Sequence, residues 1–371
     1  MIYLDNAATT KPKKEVVDVI TKCLVKDWGN PSSLYKIGTR AKSIVEESRK
    51  TVADLIGAKH SEIIFTSGAC ESNSHAICGY MKSHNAHLIT TNIEHKSIMN
   101  IAEDYKDRTT IIPVDKNGFT DVEELENILK ELDNINTLVS IQWANNEIGT
   151  IQNMEEISTI VHRYNGVLHT DATQIIPDRI INVDGIGIDM MSFSGQKLGT
   201  PKGIGVLYVR EGIEISPIIY GAQENSRRGG TENVPYIAGL GEAIKHLDLE
   251  YPTYEIRNYF VHRILSEIDD CYLVGCSCGS FRLKNNASIC FRDVASEVLL
   301  LILDQKNICV SGGSACASSD MKPSHVLEAI DIPKEDINSV VRFTFGNNTK
   351  EEVDFVVEEV KKAVKILREL R

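Results

Sequence analysis

The chain has 371 residues, 42% of them hydrophobic, and a formal net charge of −12 at pH 7. A chain of this length can bury a core large enough to fold without disulfides or metals, and an acidic chain without a Lys/Arg cluster excludes a nucleic-acid surface. No apolar run reaches the roughly 18 residues that a bilayer span needs, so we expect a cytoplasmic, globular enzyme with a small-molecule substrate and no membrane contact.

Short β-branched runs alternate with longer helical patterns over the first 250 residues. The helical segments include "DVEELENILKELD" and "NMEEISTIVHRY", whose apolar residues recur every three to four positions. Strands that alternate with helices indicate an α/β fold with a mostly parallel sheet covered on both faces. In chain order, the seven predicted strands are "EIIFTSG", "HLITTN", "TIIPVD", "TLVSIQ", "GVLHTD", "DMMSFSG" and "GIGVLYV".

Past about residue 250 the pattern changes, which indicates a smaller α+β domain. A long helix ("YEIRNYFVHRILSEI") precedes short strands ("ASICF" and "VVRFTFG"), and a charged helix closes the chain. We assign residues 14–250 to a large domain that contains the predicted sheet and the residues at its strand ends. Residues 1–13 and 251–371 are assigned to the smaller domain, which contains the loop "SGGSACASSDMKP" with Cys316.

The residues that follow the predicted strands are the candidates for a site, because ligands of open α/β sheets lie at the carboxyl ends of the strands. The small residues of "SGACES" open a helix, where backbone N–H groups and the helix dipole favour a phosphate. The other strands are followed by an imidazole, amides, a carboxylate, a hydroxyl and an amine, namely His95, Asn145, Asn146, Asp171, Gln174, Ser194, Gln196 and Lys197.

Each of these residues alone has an ordinary structural explanation, as a helix cap, a core residue or a solvated charge. Together they provide what a pyridine aldehyde phosphate needs. These needs are a phosphate cradle, a flat group against the ring, a carboxylate for the ring nitrogen and an amine for the aldehyde. A dinucleotide site is not predicted, since no G-x-G-x-x-G follows the first strand.

The nine cysteines are an odd number, which fits a reduced compartment better than a disulfide framework. Three of them cluster in "CYLVGCSCGS". This cluster lacks the paired C-x-x-C spacing and the nearby histidine that are typical of zinc sites. We therefore predict no metal.

Nine ordered motifs resemble those of cysteine desulfurases of the NifS/IscS kind, within class V of the pyridoxal-phosphate aminotransferases. The resemblance runs from residue 4 to about residue 350, and it implies the architecture of fold-type I PLP-dependent transferases and the cofactor pyridoxal 5′-phosphate. The motifs are "LDNAATT" (4–10), "GNPSS" (29–33), "TSGACES" (66–72), "NIEHKS" (92–97), "NNEIG" (145–149), "DATQ" (171–174), "SFSGQKLGTPKGIG" (192–205), "RRGGTEN" (227–233) and "SGGSACASSDMKPSHVL" (311–327).

The resemblance also implies roles for matching residues. Lys197 would bond the aldehyde of the cofactor and then act as the base that moves the α-proton of the substrate. Asp171 would pair with the ring nitrogen, and His95 would stack on the ring and relay protons. Arg342 would clamp the substrate carboxylate. The phosphate, the phenolic oxygen and the substrate would be contacted by Ala69, Cys70, Asn146, Gln174, Ser194 and Gln196.

Cys316 carries the distinctive chemistry that the resemblance implies. Its thiolate would take the sulfur of L-cysteine as a persulfide, release L-alanine and deliver the sulfur to an acceptor such as an iron–sulfur scaffold protein. Glycine, serine and alanine surround Cys316, so we expect an accessible thiol. Thr231 would reach the phosphate of the neighbouring subunit's cofactor, which implies a homodimer.

Some positions depart from the family pattern. Gln196 stands where the family has histidine, Cys70 where it has threonine and Tyr35 where it has histidine, while Asn225 and Ser226 replace arginine and glycine. Two alternatives stay open on this basis. One is a selenocysteine lyase that releases selenium and alanine, and the other is a non-catalytic homologue that serves as an interaction protein in sulfur or selenium assembly.

Overall fold

A computed structural model describes residues 1–277, 279–312 and 323–370. The strands within these ranges are β1 (Ile2–Tyr3), β2 (Ile63–Thr66), β3 (His87–Thr91), β4 (Thr109–Ile112), β5 (Thr137–Ser140), β6 (Val167–Asp171), β7 (Met190–Ser194), β8 (Gly205–Val209), β9 (Cys271–Leu273), β10 (Asn286–Phe291), β11 (Ile308–Cys309), β12 (Ser311–Gly312) and β13 (Val340–Thr344).

The α-helices connect these strands and cover the sheets. They are α1 (Lys14–Lys26), α2 (Lys36–Ile56), α3 (Ala69–His84), α4 (Lys96–Asp104), α5 (Val122–Glu131), α6 (Met154–Arg163), α7 (Val183–Ile186), α8 (Val234–Lys245), α9 (Thr253–Glu267), α10 (Ser296–Asp304), α11 (His325–Ala329), α12 (Lys334–Ile337) and α13 (Lys350–Glu369). Across the three described ranges, no helix has the length and apolar character that crossing a membrane requires.

The large sheet has seven strands in the order β2-β8-β7-β6-β5-β3-β4. The pairs from β7 to β4 are parallel, and only β8 runs antiparallel to its two neighbours. All seven predicted runs form these strands, so the mostly parallel sheet is confirmed.

Helices cover both faces of this sheet, as the alternation of elements predicts. Successive side chains of a strand point to opposite faces. Ile89 and Val139 pack into a core with α1, α2, α5, α6 and α8. The adjacent Leu88 and Leu138 pack into a second core with α3 and α4. The strands are therefore buried on both sides, which explains their nearly continuous apolar sequences.

A second, antiparallel sheet has the order β12-β13-β10-β9 and its own core. The Phe260 ring lies 4.7 Å from that of Phe343 and 5.3 Å from that of Phe345. The chain start joins this region, since β1 pairs with β11 and Leu4 packs into the same core. These contacts support our proposal that residues 1–13 and 251–371 form the smaller domain.

The turn Glu224–Ser226 holds three consecutive non-glycine residues with left-handed backbones, at φ of 50°, 56° and 63°. The buried carboxylate of Glu224 accepts hydrogen bonds from the two terminal nitrogens of Arg49, at 2.6 and 2.8 Å. Tertiary contacts therefore hold a conformation that costs L-residues free energy. Ser226 stands where the related motif has glycine, which adopts this backbone without steric cost.

We expect Ser226→Gly to raise the free energy of unfolding by about 1 kcal/mol, because glycine relieves the left-handed strain at this position. The measurement is urea-induced unfolding of the two proteins. Ser43→Gly is the matched control. Ser43 lies exposed within α2, where glycine should instead lower stability by roughly 0.5–1 kcal/mol. An equal loss of stability in both variants would contradict the assignment of strain.

Candidate active site

The carboxyl ends of β3, β5, β6 and β7 lie along one edge of the large sheet, because these strands are parallel. His95 follows β3, Asn145 follows β5, Asp171 ends β6 and Lys197 follows β7. The residues predicted from strand ends are therefore brought to a common edge, and their side-chain contacts define a site there.

Asp171 is the buried carboxylate of this site, with 3% of its surface exposed. Its Oδ2 accepts a hydrogen bond from Nδ2 of Asn73 at 2.8 Å, and its Oδ1 accepts one from the backbone N–H of Thr173 at 3.0 Å. Asn73 comes from α3 and is fully buried. Two donors thus fix the orientation of the carboxylate at the end of β6.

The amine of Lys197 meets the start of the chain. Lys197 lies in a 3₁₀ turn, Gly195–Lys197, directly after β7. Its Nζ donates to the backbone carbonyls of Ala7 and Ala8, at 2.6 and 2.5 Å. Nε2 of Gln174 also donates to the carbonyl of Ala7, at 3.1 Å. The "LDNAATT" and "DATQ" motifs are therefore adjacent to the lysine in space.

His95 caps the N-terminus of α4 with its imidazole. Nδ1 accepts the backbone N–H of Ser97 at 3.1 Å and lies 2.8 Å from its Oγ. Burial lowers the pKa of His95; nearby Asp171 opposes that change, and the positive charge of Lys197 adds to it. Burial therefore favours a neutral imidazole at pH 7, since the ordinary histidine pKa is about 6.5.

The turn before α3 is the candidate phosphate cradle. Gly68 is the N-cap of the helix and, as a glycine, makes no side-chain cap hydrogen bond. A Cβ on Gly68 would meet only Oγ of Ser194, at 4.0 Å, so this glycine faces open space beside the end of β7. Ala69 and Cys70 begin the helix, and Cys70 is exposed. An uncapped helix start next to a serine hydroxyl fits a phosphate group.

The departures from the family pattern lie in different surroundings. Gln196 contacts the chain start, since its Oε1 accepts from Oγ1 of Thr9 at 3.4 Å and its carbonyl accepts from the hydroxyl of Thr10. Tyr35 is 64% exposed and precedes α2.

Thr231 is exposed on this chain and lines a cavity of about 200 Å³ together with Thr66 and Ser67.

Arg342 is almost fully buried in β13, with 1% of its surface exposed. Its Nη2 lies 2.8 Å from Oδ1 of Asp5, and its Nη1 donates to the carbonyl of Asn146 at 3.0 Å. Its Nε is buried, and no residue within the described ranges forms a hydrogen bond with it. Sequence reasoning missed the ion pair with Asp5, although "LDNAATT" was among the motifs.

Two buried glutamates of the motifs also went unassigned in the sequence. Burial raises the pKa of Glu94 to about 8 and that of Glu147 to about 7. Oε2 of Glu147 accepts a hydrogen bond from Oγ of Ser324 at 2.5 Å, and Nε2 of His325 donates to the carbonyl of Glu94 at 2.9 Å. The residues after the Cys316 segment therefore pack against the strand-end site. Cys316 itself lies outside the described residues.

The donor set fits pyridoxal phosphate. A buried carboxylate suits a protonated ring nitrogen, an amine suits an aldehyde, and an uncapped helix start suits a phosphate. Lys197, Asp171 and the turn at Gly68 provide these three groups at one edge of the sheet.

Comparisons with known proteins agree with this geometry. The family model for class-V aminotransferases matches residues 2–356. A cysteine desulfurase IscS of Dictyoglomus turgidum is 42% identical over 99% of this chain and 95% of its own length. The solved structure of a NifS-like protein from Rickettsia africae has 30% identity and a TM-score of 0.89, covering 98% of this chain and 99% of its own.

A further solved structure, SspA in complex with cysteine, is 32% identical with a TM-score of 0.82, and the match covers 93% of this chain and 99% of that one. The motifs, the sheet order and these similarities lead to one conclusion. The chain belongs to the class-V aminotransferase family, within its pyridoxal-phosphate-dependent cysteine desulfurases of the NifS/IscS kind.

Proposed function

We propose that this chain converts L-cysteine to L-alanine and holds the sulfur as a persulfide on Cys316 for transfer to an acceptor. The observation that carries the proposal is the meeting of the Lys197 amine, the buried Asp171 carboxylate and the His95 imidazole at one strand-end edge. Relatives named cysteine desulfurase support the choice of substrate.

Pyridoxal phosphate, when bound, withdraws electrons from the α-carbon of an amino acid and so makes the α-proton acidic and the bond to sulfur breakable. Lys197 would hold the aldehyde of the cofactor, and Asp171 would face the ring nitrogen with a negative charge. His95 would lie against the ring, and Gln174 and Asn146 would contact the phenolic oxygen or the substrate. The phosphate would be held by Ala69, Cys70, Ser194, Gln196 and, across a subunit interface, Thr231.

Lys197 and Arg342 would act on the substrate itself. The carbonyls of Ala7 and Ala8 accept hydrogens from the lysine amine. In its neutral form the amine would keep its lone pair for the proton of the substrate's α-carbon. The guanidinium of Arg342 matches the geometry of the substrate carboxylate. Because this guanidinium is already paired with Asp5, the substrate carboxylate would compete with Asp5 for its donors.

Cys316 would receive the sulfur. The Cβ–Sγ bond of the substrate breaks, and a sulfur–sulfur bond forms with the Cys316 thiolate. The electron pair of the broken bond stays with the carbon fragment, which takes up a proton and leaves as alanine. Cysteine and one protein thiol thus give alanine and one protein persulfide, without an external oxidant.

The proposed partners follow from this chemistry. A persulfide must be passed on, and an iron–sulfur scaffold protein is the proposed acceptor. A homodimer would bring Thr231 of one subunit to the cofactor of the other, and the exposed position of Thr231 on this chain supports it. The odd number of nine cysteines fits a reduced compartment better than a disulfide framework, which supports a cytoplasmic location.

The test is turnover of L-cysteine and L-selenocysteine by the wild-type chain and by Cys316→Ala, each loaded with pyridoxal phosphate. We expect the wild-type chain to release alanine from cysteine and to carry one persulfide on Cys316, detected by alkylation and mass spectrometry. Cys316→Ala should release almost no alanine from cysteine, because it lacks the sulfur acceptor.

Cys309→Ala is the matched control, since Cys309 is a half-buried thiol of β11, and it should behave as the wild-type chain. Turnover of selenocysteine alone, unaffected by Cys316→Ala, would instead establish a selenocysteine lyase. A chain that stays colourless with pyridoxal phosphate would establish a non-catalytic homologue.

A further inference from the structure

A continuous line of hydrogen bonds joins the carboxylate of Asp171 to the imidazole of His95. Nδ2 of Asn73 lies 2.8 Å from Oδ2 of Asp171 and 3.0 Å from Oγ of Ser97. Oγ of Ser97 lies 2.8 Å from Nδ1 of His95. The two connecting residues come from different helices, α3 and α4, and no family motif predicted their contact.

The direction of each bond in this line is fixed by chemistry. An amide nitrogen has only hydrogens to offer, so Asn73 donates to both Asp171 and Ser97. The opposite amide orientation would place its oxygen against a carboxylate oxygen. Among the described residues, none forms a hydrogen bond with the buried Oδ1 of Asn73. This orientation leaves the oxygen desolvated so that the nitrogen can make both bonds. The hydroxyl of Ser97 accepts from Asn73, and its own hydrogen is left for His95.

Nδ1 of His95 must therefore accept. The backbone N–H of Ser97, which can only donate, points at the same nitrogen at 3.1 Å. The ring also caps the N-terminus of the nine-residue helix α4, where the helix dipole disfavours a positive charge. Two donors and the dipole thus favour the same state of the ring, a neutral imidazole whose proton is on Nε2.

We propose that Asn73 and Ser97 are positioning residues that keep Nδ1 of His95 as an acceptor and so present its Nε2–H to the site. In this state His95 donates a hydrogen bond and does not take up the α-proton, which leaves Lys197 as the base. The tautomer and charge of the His95 ring depend on residues of this chain and can be measured without the reaction. Only its use in the reaction rests on the proposed function.

Other charged groups face His95 and act on the same equilibrium. Asp171 favours a proton on the ring, while Lys197, His325 and Lys96 oppose it. Burial adds to the opposing charges and lowers the pKa of His95. The hydrogen bonds and the surrounding charges thus both favour the neutral ring. Among the described groups that act on His95, only Asp171 favours the charged ring.

The test is two-bond proton–nitrogen NMR of the histidine-labelled chain, with and without pyridoxal phosphate. The His95 signals are identified by their loss in His95→Gln. We expect the neutral His95 ring to carry its proton on Nε2. The midpoint of its titration should lie below the ordinary histidine pKa of about 6.5. A ring found with its proton on Nδ1, or charged at pH 7, would overturn the proposal. His87, which is hydrogen-bonded to Thr110 on β4, is the internal reference.

Asn73→Asp should reverse the direction of the hydrogen bonds that run from residue 73 through Ser97 to His95. A carboxyl group at residue 73 leaves an oxygen that accepts from the Ser97 hydroxyl, so this hydroxyl no longer donates to Nδ1 of His95 and can accept from Nδ1–H instead. We expect the ring proton to shift toward Nδ1 and the His95 midpoint to rise by about one pH unit or more. Ser97→Ala in the same background should cancel the tautomer change, whereas an effect of charge through space would persist.

If Asn73→Asp does not fold, the variants Ser97→Ala and Ser97→Thr test the same proposal. Ser97→Ala removes a donor to the neutral ring and should raise the His95 midpoint, while Ser97→Thr keeps the hydroxyl and should restore the wild-type value. Equal midpoints in both variants would refute the proposal. These readings are independent of turnover, so a failure of the desulfurase assay would leave them intact.

Discussion

Alanine release from L-cysteine should fall by about 10⁴-fold in Lys197→Ala, because the variant loses both the amine that holds the cofactor and the base that moves the α-proton. Lys197 is placed for both tasks by the turn after β7, with its Nζ on the carbonyls of Ala7 and Ala8. Pyridoxal phosphate could still bind through its phosphate. The variant should therefore lose its rate of alanine release more than its content of bound cofactor.

Two measurements check this result. Borohydride should attach the cofactor covalently to the wild-type chain at Lys197, seen as a mass increase of one peptide, and should leave Lys197→Ala unmodified. Lys202→Ala is the matched control, since Lys202 is an exposed lysine five residues further along the chain. Cofactor attached to any other lysine, or turnover preserved without Lys197, would show that the amine was wrongly assigned.

Asp171→Asn should lower turnover by about 10²–10³-fold, the range seen when one preorganised electrostatic contact is removed from an active site. Asparagine keeps the shape of the side chain, but its single oxygen can accept from only one of Asn73 and Thr173. It also cannot hold a positive charge on the ring nitrogen. The negative charge is buried and held by Asn73 and Thr173, so solvent cannot replace it.

The absorbance of the bound cofactor as a function of pH gives a second reading of Asp171→Asn, and it should differ from that of the wild-type chain. Asp189→Asn is the control. Asp189 is also buried, but it lies at the opposite edge, before β7, where it accepts from the backbone of Leu168. This control should cost stability and leave the spectrum unchanged. A spectrum unaffected by Asp171→Asn would argue against a contact with the ring nitrogen.

The large sheet and the main site could be predicted from the sequence because their signals are local. Each strand is a short apolar run, and parallel strands necessarily bring their carboxyl ends to one edge. Asp171 and Lys197 could therefore be placed near each other although 26 positions separate them, with no knowledge of side-chain contacts.

The contacts that sequence reasoning missed join residues far apart in the chain. Arg342 pairs with Asp5, and Ser324 bonds to Glu147. Nothing in either segment specifies its partner, because a buried polar group needs some partner and many would satisfy it. The link between Asn73 and Ser97 was missed for the same reason, since each residue alone has the features of an ordinary helix position.

The pairing of β1 with β11 has a consequence for how the protein is made. Residues 2–7 are synthesised long before their partners, which include Ile308, Arg342 and Thr344. At about 5–20 residues per second, these partners follow tens of seconds later. Residues 2–7 therefore lack these neighbours until Thr344 has been synthesised, and the smaller domain cannot assemble before then.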